Sequence, residues 1–332
     1  MSSNTLPSPA RITLLPAGKE FDAAPNRSLL DAGLSAGIAL PFGCANGTCG
    51  ECRARVRAGE VRRYRHHDYS LTQTEKLNGV CLLCSSMAVT DCQIEVVEAT
   101  SVADIPLQQL PAKLCRLESK DDAVIVAFKF SRGKALRFLP GQHVTLTYSD
   151  GFAIKLPIAS CPCNAQALEF HLTADIPNQN RVDEFVARLN AGSSRERVLI
   201  DGPGGQFTLS NQTGKPKLFL VTGGEFAQVQ GLIEQVFNLE LQTPCALIWN
   251  SSEQTGHYLH NLCRSWQDAF DEFDYQPQGA STNALTRLPQ KWVELLARSE
   301  VYLGKFDNAL VQALVEQGAS EESIFYPLPL SD

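Results

Sequence analysis

The sequence has no apolar run that approaches the roughly 18 to 20 residues needed to span a bilayer. Its start, MSSNTLPSPARITLLPAG, lacks both the basic stretch and the long apolar stretch of a signal peptide. From these two absences we expect a cytoplasmic protein without a transmembrane segment. An excess of basic residues is also missing, and the net charge of -7 disfavours a general nucleic-acid binder.

The chain of 332 residues is too long for one compact core and suits two or three modules. Its content of 44% hydrophobic and 20% charged residues is typical of a folded globular protein. Cysteine is plentiful, since the chain has 11, and five of these lie between Cys44 and Cys84. This clustering does not fit the disulfide framework of a secreted protein and suggests a metal or cluster site.

Residues 1–98 are predicted to form one small mixed α/β module. Apolar and polar positions alternate from Ile12, which predicts strands, and Ser28 is a plausible N-cap for a short helix, LLDAGLSAG, closed by Gly37. A glycine-rich loop, a hairpin in RARVRAGEVRRY, a helical LTQTEKL stretch and a closing strand, CQIEVVE, follow.

The remaining chain divides by its patterning into a linker and two further modules. Residues 99–111 carry two prolines and no strong period, and are predicted to be a linker. Residues 112–212 hold short strands at the spacing of an antiparallel barrel, together with one helix, RVDEFVARLNAG. In residues 213–332 apolar strands such as KLFLVTGG alternate with helices such as FAQVQGLIEQVFN, which predicts a parallel sheet covered on both faces.

The strongest motif is a set of four cysteines, Cys44, Cys49, Cys52 and Cys84. Their C-x4-C-x2-C spacing with a distant fourth cysteine is that of plant-type [2Fe-2S] sites, in which four thiolates bind two irons. The glycines of the loop let backbone N–H groups approach the sulfides. Zinc is the alternative, held by the two C-x2-C pairs at 49–52 and 81–84, but it leaves Cys44 without a role. Spacing alone does not choose between Cys81 and Cys84 as the fourth iron ligand.

The segments PFGCANGTCGECRARV and LLCSSMAVTDCQIEV resemble the ferredoxin domain of the ferredoxin-fused oxygenase reductase family. FLPGQHVTL and DGPGGQFTL extend the resemblance into the reductase-like body. It implies a multidomain fold: a β-grasp ferredoxin domain, an antiparallel β-barrel of flavin-binding type and a Rossmann-like α/β domain of nucleotide-binding type. It also implies that the cysteine of the LLC segment, Cys84, is the fourth ligand.

The flavin motif of that family is altered in this chain. The resemblance implies an Arg, any residue, an aromatic residue and Ser before a strand, with the Arg on the flavin pyrophosphate. The matching stretch here is 154–160, where Lys155, Leu156, Ile158 and Ser160 are the candidate pocket residues. Lysine is a poor substitute for the forked guanidinium. The helix that follows carries acidic residues, at 183 and 184, in its first turns, where they repel a phosphate.

The nicotinamide motifs are altered as well. The family's Gly-Gly-Thr-Gly turn reads Gly223-Gly224-Glu225-Phe226 here, and the later Cys-Gly-Pro-Pro turn reads Leu303-Gly304-Lys305-Phe306. A carboxylate and a bulky ring stand where small residues allow the cofactor to approach. These departures count against productive NAD(P)H binding. They also count against FAD. Because backbone groups contact flavin too, a barrel that binds FAD and a barrel that does not are both kept as interpretations.

Arginines crowd the segment just after the cysteine loop. Arg62, Arg63 and Arg65 are the candidate docking residues for an acidic redox partner, because complementary charge mainly raises encounter rate and fixes orientation. The alternative is an ordinary solvated surface.

Two functions are consistent with these patterns. The first is an iron-sulfur electron-transfer oxidoreductase that, like the family it resembles, passes electrons through flavin and a [2Fe-2S] cluster to an oxygenase, hydroxylase or other acceptor. The flavin is needed in that scheme because a hydride delivers two electrons and the cluster accepts one. The second is a [2Fe-2S] ferredoxin whose reductase-like body carries no cofactor and serves as an accessory or docking subunit of a redox complex.

Overall fold

The computed structural model describes most of the chain. The described residues are 8–38, 40–42, 45–47, 52–67, 71–96, 102, 105, 107–131, 134–162, 167–175, 179–191, 197–210, 214–239, 241, 243–252, 254–279 and 288–330. The chain divides into two compact units, the first being Met1–Pro106 with Phe130–Phe138 and the second Leu107–Lys129 with Leu139–Asp332. Within the described residues, no helix is long and apolar enough to cross a membrane.

The first unit contains a mixed sheet packed on a helix. Its strands in chain order are β1 (Ala10–Leu15), β2 (Glu20–Ala23), β3 (Arg53–Ala58), β4 (Val61–Arg63), β5 (Val80–Leu82), β6 (Ser86–Ala88) and β7 (Cys92–Glu95). The main sheet has the order β2-β1-β7-β3-β5, in which β1 and β7 are parallel and the other pairs antiparallel. The arrangement is the predicted β-grasp fold.

Two short helices complete this unit. Helix α1 (Leu29–Ser35) starts where the sequence predicts, because the Ser28 side chain accepts a hydrogen bond from the Asp31 N–H at 3.0 Å. Its apolar residues face the core, where Leu29 and Leu30 are fully buried. Helix α2 (Gln73–Leu77) begins with a reciprocal capping box between Thr72 and Glu75.

The hairpin predicted for RARVRAGEVRRY is wrong. Strand β3 pairs with β5 and β7, whereas β4 pairs with β6 in a separate two-stranded sheet. The register of β3 against β7 shifts between Val56 and Ala58, which bends the strand and sends the chain out of the main sheet. Glu60 then accepts a hydrogen bond from Val89 N at the start of the second sheet.

The second unit begins with an antiparallel sheet. Its strands are β8 (Gln108–Lys120), β9 (Ala123–Phe130), β10 (His143–Thr147), β11 (Ala153–Pro157), β12 (Ala167–Thr173) and β13 (Arg197–Gly204), and helix α3 (Gln179–Ala191) lies between β12 and β13. Their order is β11-β10-β13-β8-β9-β12. The two edges meet, because Ala159 N donates to Glu169 O at 2.9 Å, so the sheet curls into the predicted barrel. Strand β8 starts inside the range predicted as a linker.

The rest of this unit is a parallel α/β layer structure. Its strands are β14 (Lys217–Thr222), β15 (Cys245–Asn250), β16 (Phe273–Gln278), β17 (Glu300–Leu303) and β18 (Ile324–Phe325), and its helices are α4 (Phe226–Asn238), α5 (His260–Ala269), α6 (Gln290–Leu295) and α7 (Asn308–Glu316). The strand order is β16-β15-β14-β17-β18, all parallel. Alternate residues of β14 enter two separate cores, Phe219 on one face and Leu218 on the other.

Candidate functional site

Two of the four predicted cluster ligands are described, and the structure brings them together. The Sγ atoms of Cys52 and Cys84 lie 3.2 Å apart although 32 positions separate them in the chain. Both residues are buried, at 1% and 0% exposure. The other two predicted ligands, Cys44 and Cys49, lie outside the described residues.

Strand pairing explains this contact. Cys52 immediately precedes β3, and Cys84 lies in the 3-10 turn that follows β5. Because Arg53 of β3 pairs with Leu82 of β5, and Leu83 N donates to Cys52 O at 2.9 Å, the two thiols meet just beyond the paired ends. The main sheet therefore sets the positions of two of the four proposed ligands, Cys52 and Cys84.

Cys81 differs from Cys84 in its place on β5. It lies opposite Ala54 in the ladder, two residues before the turn, and burial raises the pKa of its thiol to about 11. A protonated buried thiol is the usual state of a structural cysteine. In the described part of the chain, no group of three or more His, Cys, Asp or Glu residues is placed to hold a metal. Three of the four cysteines of the zinc alternative, Cys52, Cys81 and Cys84, are among the described residues. The geometry favours Cys84 over Cys81 as the partner of Cys52.

The described part of the cysteine loop is tightly packed against the turn that carries Cys84. Gly47 has φ +88°, and a Cβ there would lie 2.6 Å from Ser85 Oγ and would overlap the His67 side chain. Only glycine tolerates both that backbone conformation and that approach. Ser85 Oγ is also 3.4 Å from Cys84 Sγ, so a polar hydrogen is available beside the thiol. Buried thiols in contact beside a close-packed glycine loop fit the [2Fe-2S] group that the motif implies.

The arginines near this site divide into paired and unpaired residues. Three pair with carboxylates: Arg53 with Glu75, Arg57 with Glu95 and Arg65 with Asp31. Arg62 and Arg63 are exposed on β4, where Arg62 Nε contacts Met87 Sδ and Arg63 Nε donates to Arg65 O. Among the described residues neither of these two has a carboxylate partner. The free positive charge of the predicted patch is thus on Arg62 and Arg63.

The four candidate flavin residues lie on both faces of the barrel wall. Leu156 and Ile158 are fully buried in the barrel core, and Lys155 lies on the opposite face of β11. Ser160 Oγ accepts a hydrogen bond from Glu169 N at 3.1 Å, so it takes part in closing the barrel. The residues present do not fit the flavin pyrophosphate site of the resembling family.

The barrel and the α/β part contact each other directly through β12. His171 is fully buried, with Nδ1 3.1 Å from Tyr258 Oη and Nε2 3.0 Å from Glu169 Oε1. Burial raises the pKa of Glu169, but His171 and Arg116 outweigh it and hold this pKa below its ordinary value. The Phe226 ring lies against His171 and stacks on Trp249 with ring centres 4.2 Å apart. Side chains thus fill the space between the barrel and the α/β part at β12.

The turn after β14 is occupied by acidic side chains. Glu225 Oε2 accepts a hydrogen bond from Thr222 N at 2.8 Å, and its Oε1 lies 2.9 Å from Lys305 Nζ. Asp175, which follows β12, accepts a hydrogen bond from Gly224 N at 3.3 Å. Burial raises the pKa of Glu225, and the charge of Glu225 raises that of Lys305. The sequence motifs indicated Glu225 and Lys305, but not Asp175, which comes from a distant part of the chain.

Comparison with known proteins agrees with this architecture. Residues 12–89 match the family described as 2Fe-2S iron-sulfur cluster binding domain. The chain is 24% identical over 87% of its length to the reductase component 1 of terephthalate 1,2-dioxygenase from a Comamonas species, covering 81% of that protein. It is 25% identical over 95% of its length to the propane 2-monooxygenase reductase component of Gordonia sp. (strain TY-5), covering 96% of that protein.

A solved structure shows the same fold over almost the whole chain. The cytochrome P450 reductase of Amycolatopsis superposes with a TM-score of 0.57 at 20% identity, covering 96% of this chain and 98% of that one. The fold and the cysteine pair define a ferredoxin domain joined to a ferredoxin reductase-like body. Residues 12–89 match the 2Fe-2S domain family, and over most of its length the chain is similar to reductase components of the ferredoxin-fused oxygenase reductase type.

Proposed function

We propose that this protein is an iron-sulfur electron-transfer protein that supplies single electrons to an oxygenase or hydroxylase. The observation that carries the proposal is the buried contact between Cys52 Sγ and Cys84 Sγ in a domain of the 2Fe-2S family. Cys44, Cys49, Cys52 and Cys84 are the proposed ligands. When bound, a [2Fe-2S] cluster accepts and releases one electron at a time.

The chain's own residues give this site its properties. Cys52 and Cys84 present their thiols from the ends of two paired strands, so the rigid sheet sets their separation. Their burial keeps water from the sulfurs, and the Ser85 hydroxyl beside Cys84 is placed to stabilise negative charge on that sulfur. Hydrogen bonds of this kind to cluster sulfurs raise the reduction potential.

An oxygenase component is the proposed acceptor because the similar proteins are reductase components of a dioxygenase and of a monooxygenase. Arg62 and Arg63 are the proposed docking charges. Arg65 completes the patch, although its guanidinium is already held by Asp31 at 3.3 Å. An acidic surface on the partner would complement this patch and raise the rate of encounter.

Replacement of one thiol tests the ligand assignment. The variant Cys52→Ser is expected to lose the iron, the acid-labile sulfide and the visible absorption of the protein purified under anaerobic conditions. Cys81→Ser is the matched control, because Cys81 is also buried on β5 but lies within the ladder opposite Ala54, and it should keep the cluster. Full cluster content in Cys52→Ser, or its loss in Cys81→Ser alone, would overturn the assignment.

A second candidate function is that of an accessory or docking subunit whose reductase-like body holds no cofactor. The observation that favours it is the filling of the β14 turn by Glu225 and Asp175. Both candidates carry the cluster, but only the first passes its electron to an oxygenase component. Reoxidation of the dithionite-reduced protein by that component distinguishes them.

The domain limits that we propose are 1–98 for the ferredoxin domain, 99–111 for a linker whose last residues, from Gln108, form the start of β8, 112–212 for the barrel and 213–332 for the α/β domain. We propose a cytoplasmic location, supported by described cysteines outside the ligand set that form no disulfide: Cys81, Cys92, Cys115, Cys245 and Cys263. Free thiols persist in a reducing compartment.

A further inference from the structure

We propose that Asp175, Glu225 and Lys305 determine the electron source of this protein by closing its nucleotide crevice, so that NAD(P)H is excluded and a one-electron redox protein is the donor. The inference rests on the proposed function of the cluster as an electron carrier. It goes beyond that function by naming the residues that decide which donor the chain accepts.

The strand order locates the crevice. In an open parallel sheet the ligand crevice lies outside the carboxyl ends of the strands, at the point where the strand order reverses. Here β14 leads to β15 on one side, while β17 pairs with its other side, so the reversal falls between β14 and β17. Thr222 ends β14 and Gly223 follows it, while Gly304 and Lys305 follow the end of β17. The Glu225–Lys305 ion pair lies at this position.

Glu225 supplies the negative charge that a nucleotide phosphate would bring. A helix N-terminus after the first strand is an anion site because its N–H groups are unpaired and its dipole is positive. At the start of α4 the Glu225 carboxylate accepts the Thr222 N–H and faces Lys305 Nζ. The Glu225 side chain is only 16% exposed, whereas that of Lys305 is 66% exposed and reaches it from the surface. A phosphate here would meet a buried carboxylate and a lysine already paired.

Asp175 closes the crevice from the barrel side. Its carboxylate accepts the Gly224 N–H and a hydrogen bond from the Thr255 hydroxyl. A Cβ added to Gly223 would overlap Asp175 Oδ2, and one added to Gly224 would overlap Thr173. A Cβ on Gly304 would overlap Glu225 and lie 2.9 Å from its Oε2. The glycine turn after β14 and the glycine turn after β17 are therefore already covered by the chain's own side chains.

The barrel face beside this crevice does not fit a flavin either. Hydride transfer requires the two cofactor rings to touch, with reacting atoms about 3 to 3.5 Å apart. A flavin would thus have to lie where the barrel faces the start of α4. There the fully buried His171 packs against Phe226 and bonds to Tyr258. Leu156 and Ile158 fill the barrel core where the family has its flavin ligands.

The electron balance then fixes the class of donor. A hydride carries two electrons, and dividing them needs a flavin or a similar two-electron group. The reaction that the chain's residues support is the transfer of one electron from a reduced protein with a one-electron centre to the cluster. That donor is oxidised by one electron, the cluster is reduced by one, and no bond or proton is exchanged.

The first test uses the wild-type holoprotein under anaerobic conditions. NADH and NADPH, each added to about 1 mM, are expected to give no binding heat in calorimetry and no bleaching of the cluster, while dithionite bleaches it. Binding of either nucleotide, or bleaching by it, would overturn the inference. Absence of a cluster that dithionite can reduce would instead refute the proposed function, so the two failures are distinguishable.

The second test opens the crevice. The double variant Asp175→Ala/Glu225→Ala frees Lys305 and the α4 N-terminus, and it is expected to bind NADPH and inorganic pyrophosphate at least about tenfold more tightly than the wild type. Glu316→Ala, at the end of α7, is the matched control and should not change binding. A folded double variant with unchanged affinity would show that these residues are not the determinants. If that variant does not fold, Glu225→Ala alone is tested by the same criterion.

Discussion

Removal of the buried cation Lys217 should destabilise the α/β part strongly. Lys217 Nζ and Glu300 Oε2 are 2.9 Å apart, and both side chains are only 1% exposed. Glu300 also accepts hydrogen bonds from Tyr302 Oη, at 3.0 Å, and from the Ser210 hydroxyl. The variant Lys217→Met therefore leaves a buried carboxylate without its cation, which typically costs about 3 to 5 kcal/mol. The expected loss in the free energy of unfolding at pH 7 is thus about 3 to 5 kcal/mol, because Glu300 keeps its two hydroxyl donors but loses the cation beside it.

Urea unfolding followed by tryptophan fluorescence measures this effect selectively. The three tryptophans, Trp249, Trp266 and Trp292, all lie in the α/β part. The double variant Lys217→Met/Glu300→Gln is the control, because it removes both charges and should recover most of the stability. A loss below about 1 kcal/mol for Lys217→Met at pH 7 would refute the reasoning.

Three further predictions concern the first unit. Gly47→Ala should lower iron and sulfide content, because its Cβ would collide with the turn beside Cys84, whereas Gly18→Ala, also at positive φ but with open space around it, should not. Replacing Arg62 and Arg63 by Glu should slow reduction of the acceptor protein in stopped-flow experiments, more at low salt than at high salt; equal slowing at both would rule out electrostatic docking. Ser28→Ala should cost about 1 kcal/mol in chemical unfolding, since it removes the α1 cap; no change would mean that the cap is dispensable.

Local patterns in the sequence predicted much of the fold. The limits of β9 and α4 are those expected from AVIVAFKF and FAQVQGLIEQVFN, and α1 begins after its predicted cap at Ser28. In each case the determining interactions are within a few residues, namely apolar periodicity or a side chain bonded to a nearby N–H. Such signals can be read without knowledge of the tertiary structure.

Features that depend on distant pairing were missed. The hairpin prediction failed because the partners of β3 and β4 are β7, β5 and β6, which lie far along the chain. Strand β16 was not predicted, since FDYQPQ is polar and contains Pro277, which an edge strand tolerates. In the crevice, Glu225 was evident from its motif, but Asp175 reaches it from a different module.

For the cluster ligands, too, local spacing predicted one part and distant strand pairing decided the other. Spacing indicated a [2Fe-2S] motif but left Cys81 and Cys84 as alternatives. The pairing of β3 with β5 decides which of these thiols meets Cys52, because it leaves Cys81 within the ladder and places Cys84 in the turn beyond it. The assignment of all four ligands remains a prediction, and Cys44 and Cys49 lie outside the described residues.

The most direct test of the central claim is the metal and sulfide analysis of protein purified under anaerobic conditions, with electron paramagnetic resonance before and after dithionite. The account predicts about two irons and two sulfides per chain, no signal in the oxidised protein, and about one unpaired spin per chain after reduction. Zinc in place of iron, with no sulfide and no signal after dithionite, would contradict it.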